Sequence, residues 1–71
     1  MNVVSLTLEH SVTDWVARYP ELLEFFSSLG MNPTQNRALV FESLYASCIV
    51  QQQDPHQLLQ QLYQLIGVTP S

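Results

Sequence analysis

Seventy-one residues carry six acidic side chains, two arginines and no lysine, for a formal net charge of -4. With 46% apolar and 11% charged residues, the chain is too apolar and too weakly charged to be a disordered segment. One cysteine cannot form an intramolecular disulfide, no basic cluster offers a DNA or RNA footprint, and no apolar run nears the roughly 18 residues of a membrane span. What remains is one small domain spanning residues 1–71. Domains of this size often need a staple beyond their own core. With an internal disulfide excluded, a metal or a second subunit stays open.

Met1–Leu8 has no basic start, and Ser5 and Thr7 interrupt its apolar residues, so it does not read as a targeting segment. That start and the lone cysteine fit a reducing cytoplasm. Val4, Leu6 and Leu8 alternate with Ser5, Thr7 and Glu9, a period of two that predicts a short extended arm over residues 1–10. No second strand signal offers it a partner.

Residues 11–67 read as a helical core. Ser11 is a helix N-cap with Asp14 three residues on, an acidic form of the capping box. Val12, Trp15, Val16 and Tyr19 then share a stripe about 100° wide. Pro20 ends this helix and is placed to open the next, with Glu21 and Glu24 near its positive end. Leu22, Leu23, Phe25, Phe26 and Leu29 take one face of that second helix, and Gly30 is the expected left-handed residue past its end.

Asn32 and Pro33 repeat the start signal, Asn32 as cap and Pro33 at the first helical position. Either one helix runs from Pro33 to Gln52, or a short helix ends near Glu42 and Ser43 caps another. In both cases Phe41, Leu44, Tyr45, Cys48 and Ile49 fall on one face. Asp54 and Pro55, with Gln57 where a capping box wants it, open the last helix. Its residues Leu58, Leu59, Leu62, Tyr63, Leu65 and Ile66 fill an arc about 160° wide, and glutamines fill the other side. Gly67 ends it, and residues 68–71 are a tail. The expected fold is all-α, a compact array of four to five short helices with the extended N-terminal arm.

The order of Ser11-Val12-Thr13-Asp14-Trp15-Val16, Tyr19-Pro20-Glu21-Leu22, Leu29-Gly30-Met31, Asn32-Pro33, Ser43-Leu44 and Asp54 with Leu58-Leu59 and Leu62 resembles a family of small helical domains of unknown function. These are similar to the N-terminal domain of ScdA-type iron–sulfur cluster repair proteins. The resemblance runs from about Leu8 to Val68. The repair branch carries Cys-Cys-Gly-Gly soon after the glycine that ends the second helix, whereas this chain has Met31-Asn32-Pro33-Thr34. It therefore resembles the cysteine-free branch. That implies the helical fold and a domain without catalytic chemistry, and links it to iron–sulfur or nitrosative stress as an accessory that binds a metal or cofactor.

Read for chemistry, the residues are sparse. Cys48 sits mid-stripe and reads as an inert buried thiol. His10, Cys48 and His56 lack the three- or four-residue spacing of helical metal ligands. Asp14, Glu21 and Glu24 read as helix-start charges rather than paired catalytic carboxylates. Gly30 and Gly67 are too far apart for a phosphate loop, and Arg18 and Arg37 make a poor anion site. Trp15, Tyr19, Phe25, Phe26 and Phe41 read as core rather than ligand pocket. No enzyme, resident metal or cofactor is expected from these residues, and no small ligand is identified.

Charge placement is more telling. Seven of the eight charges lie in the first 42 residues, and Asp54 is the only one in the last 29. That, the wide stripe of the last helix and an off-face Val50 suggest a surface for a protein partner or for a second copy. The expected contact residues are Tyr45, Val50, Leu59, Tyr63 and Ile66, rimmed by glutamines.

Overall fold

The computed structural model describes residues 6–67. Five helices follow one another: α1 (Val12–Arg18), α2 (Leu22–Ser28), α3 (Ala38–Phe41), α4 (Leu44–Val50) and α5 (Pro55–Ile66). Among the described residues there is no strand. The radius of gyration is 11.1 Å, close to the roughly 11 Å of a folded chain this long. The fold is all-α, as expected. Val4 and the rest of residues 1–5, and the tail at 68–71, lie outside the described residues.

Local chemistry sets most boundaries. At α1 the capping box is complete: the Asp14 N–H donates to Ser11 Oγ at 3.1 Å, and the Ser11 N–H donates to Asp14 Oδ2 at 3.2 Å. Helix α2 ends in a full Schellman motif. Gly30 takes φ +75°, the Met31 N–H donates to the Phe26 carbonyl at 2.8 Å, and the Gly30 N–H donates to the Ser27 carbonyl at 3.1 Å. That turn delivers Met31 into the core. Asp54 Oδ1 accepts from the N–H groups of His56 and Gln57 at 3.0 and 3.2 Å, with Pro55 in the first turn of α5. Gly67 closes α5 at φ +71°.

The stretch after Pro33 is broken. Glu42 takes an extended ψ of 152°, and Ser43 caps α4 by accepting from the Ala46 N–H at 3.1 Å. Two start signals act differently from the expectation. Pro20 precedes α2 instead of opening it: the N–H groups of Leu22 and Leu23 donate to the carbonyls of Tyr19 and Pro20, so a tight turn comes first and the helix begins at Leu22. Asn32 caps one turn that does not propagate. Its Oδ1 accepts from the Thr34 N–H at 2.9 Å, but helix resumes only at Ala38, where Asn36 Oδ1 accepts from the Ala38 N–H.

The N-terminal segment also departs from the extended reading. Thr7–His10 is a turn, closed by the His10 N–H on the Thr7 carbonyl at 3.2 Å and by the Thr7 N–H on His10 Nδ1 at 3.0 Å. This turn caps α4. The Leu44 N–H donates to the His10 carbonyl at 2.7 Å and the Tyr45 N–H to the Leu8 carbonyl at 3.0 Å. With Ser43 serving Ala46, three of the four amides at the start of α4 are satisfied. A period of two reports alternating faces, and cannot register a segment whose backbone serves a distant helix.

The core gathers Val12, Trp15, Leu22, Phe26, Met31, Leu39, Leu44, Cys48, Leu58, Leu62 and Tyr63. Trp15 sits at its centre, edge-on to Tyr63 with ring centroids 6.0 Å apart. Trp15 Nε1 donates to the Thr7 carbonyl at 3.1 Å, so the one buried indole N–H is satisfied by the N-terminal turn.

Candidate functional site

Helix α4 reads Leu-Tyr-Ala-Ser-Cys-Ile-Val and carries no charge. Leu44, Ser47 and Cys48 form its buried arc. At 100° per residue, Tyr45, Ala46, Ile49 and Val50 occupy the opposite arc. That outward arc is apolar throughout. Val50 is 67% exposed, Ile49 56% and Tyr45 49%, and at the end of α3 Phe41 is 81% exposed and Val40 43%. A surface helix ordinarily turns polar or charged residues outward. Here the polar Ser47 faces in while Tyr45, Ile49 and Val50 face out.

This placement revises two readings of the sequence. Phe41, Tyr45 and Ile49 were expected on one face with Leu44 and Cys48, and Phe41 was expected in the core. The break at Glu42 resets the helical register, so the count from Phe41 to Leu44 does not follow one helix. Within α4 only Leu44, Ser47 and Cys48 point inward. Val40, Phe41, Ile49 and Leu65, which is 55% exposed, were missed as surface candidates. The break and the Ser43 cap were the signal that could have found Phe41.

The expected contact residues divide. Tyr45 and Val50 lie on the exposed arc. Leu59 and Ile66 are half-buried against the core. Tyr63 is 9% exposed and its hydroxyl donates to the Leu6 carbonyl, which places it in the core and not on a contact surface.

The groups with possible chemistry are engaged structurally. Cys48 is fully buried, and burial, aided by the Asp54 charge, pushes its thiol up from 9.0 to about 11. Such a thiol is protonated at neutral pH and a poor nucleophile or ligand. His10 Nδ1 is occupied by Thr7, and Asp54 by the start of α5. Among the described residues no three His, Cys, Asp or Glu side chains converge as a metal site. Ser47 Oγ is buried without a hydrogen-bond partner among the described residues. A shallow groove of about 270 Å³ lies between α2 and α5, lined by Phe25, Gln61, Gln64 and Leu65. No described helix is long and apolar enough to cross a membrane.

Comparison of the chain with protein families, with curated proteins and with solved structures returns no match.

Proposed function

We propose that this chain is a non-enzymatic helical protein-interaction module, and that its contact surface is the outward arc of α4 together with the end of α3. One observation carries this reading: α4 is uncharged and its outward arc is apolar, so Tyr45, Ile49 and Val50 stand exposed, as does Phe41 at the end of α3. Burying such a surface contributes roughly 25 cal/mol per Å². Light scattering and affinity capture from the native host test the proposal, with the wild type compared to Ile49→Glu and Val50→Glu. Association lost in both variants, with folding retained, is the expected result. A wild-type chain that stays monomeric at high concentration and captures nothing would sink it.

The resemblance to the cluster-repair domains supports a second reading, an accessory to iron–sulfur or nitric-oxide stress chemistry. The caps at Ser11, Ser43 and Asp54 fall at positions of that family's pattern. The buried Cys48 favours a role as partner of such a system over direct cluster binding. Elemental analysis and the visible spectrum of purified protein, with Cys48→Ser alongside, separate the two: bound iron lost on substitution would require direct binding.

A further inference from the structure

We propose that the occupant of the α3–α4 surface is a second copy of this chain, docked about a two-fold axis with α4 against its counterpart. This rests on the interaction reading and goes beyond it by naming the partner.

Three observations converge. The first is charge. From Ala38 to Gln53 the only formal charge is Glu42, so two copies of an acidic chain can meet here with little like-charge repulsion. The remaining acids lie in other segments of the chain. The second is area. At the observed exposures, Val40, Phe41, Tyr45, Ile49 and Val50 leave roughly 450 Å² per copy open to solvent, given side-chain areas of about 100–250 Å². A symmetric pair covers about twice that, and a polar rim brings it near the roughly 1,000 Å² expected of a specific contact. The third is geometry. Tyr45 and Ile49 are four residues apart and form one ridge along α4, the element that interdigitates with an identical ridge when two helices cross. An isologous contact uses each such residue twice. Because α4 has only seven residues, about 10 Å of helix, the contact is small and falls among the weak, reversible interfaces.

The test is analytical ultracentrifugation of the full chain over about 1 µM to 1 mM, with Ile49→Glu, Ile49→Lys and an equimolar mixture of the two. Circular dichroism checks that each variant is folded. The wild type is expected to form a reversible dimer. Each variant alone should dissociate at least about 100-fold more readily, and the mixture should recover association as opposite charges meet across the axis. A dimer unaffected by Ile49→Glu and Ile49→Lys overturns the proposed face. A wild type monomeric at about 1 mM overturns the second copy as occupant. If that monomer still captures another protein, and loses it on Ile49→Glu, the interaction reading survives. If it captures nothing, both fall.

Discussion

Tyr63, in the last helix, donates its phenolic hydrogen to the carbonyl oxygen of Leu6, 57 positions earlier, at 3.0 Å. Trp15 does the same for Thr7, and α4 hangs two of its first amides on Leu8 and His10. Four contacts from three helices, on the carbonyls of Leu6, Thr7, Leu8 and His10, thus fix one short N-terminal segment. The segment pins the N-terminal end of α4, whose Tyr45, Ile49 and Val50 face out.

Removing one of these contacts should loosen the segment without dismantling the core. Tyr63→Phe keeps the ring and its edge contact with Trp15 but loses the bond to Leu6. A loss of about 1 kcal/mol is expected, or roughly 4–8 °C in Tm. Trp15, the only tryptophan, should also shift its emission to the red as the Thr7 turn loosens. Urea unfolding and fluorescence measure both, and an unchanged midpoint would mean that the hydroxyl contributes nothing to holding Leu6.

The end of α4 is strained where the end of α2 is not. Both helices close with Schellman motifs, and in α4 the Gln53 N–H donates to the Cys48 carbonyl at 2.8 Å and the Gln52 N–H to the Ile49 carbonyl at 3.2 Å. The left-handed position is Gly30 in α2 but Gln52 in α4, at φ 58°. Gln52→Gly should therefore stabilise the fold by about 0.5–1 kcal/mol, since relief of the left-handed strain outweighs glycine's extra entropy. Gly30→Ala should cost about 1–2 kcal/mol, because it adds the same strain and brings a Cβ within 3.3 Å of Gln51 Oε1. Thermal melts of both variants decide it. Opposite signs are expected, and a destabilised Gln52→Gly would contradict the reading.

Ser47 Oγ is buried without a partner among the described residues, a position that costs the free energy of stripping water from a hydroxyl. Ser47→Ala removes that cost and raises helix propensity. A gain of about 1 kcal/mol is expected from denaturant titration. A loss would show that the hydroxyl is satisfied in solution.

Cys48 should make stability fall at high pH. Its folded value, about 11, lies above the ordinary 9.0 because burial, and secondarily Asp54, disfavours the thiolate. Below pH 9 the thiol is protonated in both states and the contribution is fully present. Between about pH 9 and 11 the unfolded chain releases the proton and the folded chain keeps it, so stability declines as pH rises. At ~1.4 kcal/mol per unit the loss is on the order of 2–3 kcal/mol. The difference between wild type and Cys48→Ala, followed by urea unfolding across that window, isolates it from tyrosine titration. Parallel curves for the two proteins would refute it.

Much of this fold was legible where a single side chain decides a boundary. Ser11, Ser43, Asp54, Pro55, Gly30 and Gly67 act on backbone groups a few residues away, so their roles can be read locally. Pro20 and Asn32-Pro33 were half legible: they mark turns, but whether a turn propagates into helix depends on what packs beyond it. The N-terminal turn was not legible, since its partners lie on α1, α4 and α5. The exposed arc of α4 was legible in part: Tyr45 and Val50 stand out in the sequence, whereas Ile49 does not. Tyr63 reads like Tyr45 in the sequence. One turns inward to Trp15 and Leu6, the other outward, because each helix is rolled by contacts far along the chain.

The central claim is that the outward side of α4 is where this chain meets its partner copy. Backbone amide NMR spectra of the wild type, recorded from about 1 mM down to about 10 µM, locate the contact residue by residue. Dilution should move the amides of residues 40–50 and leave those of α1 and α2 unchanged. Shifts confined to α1 and α2, or none anywhere, would contradict it.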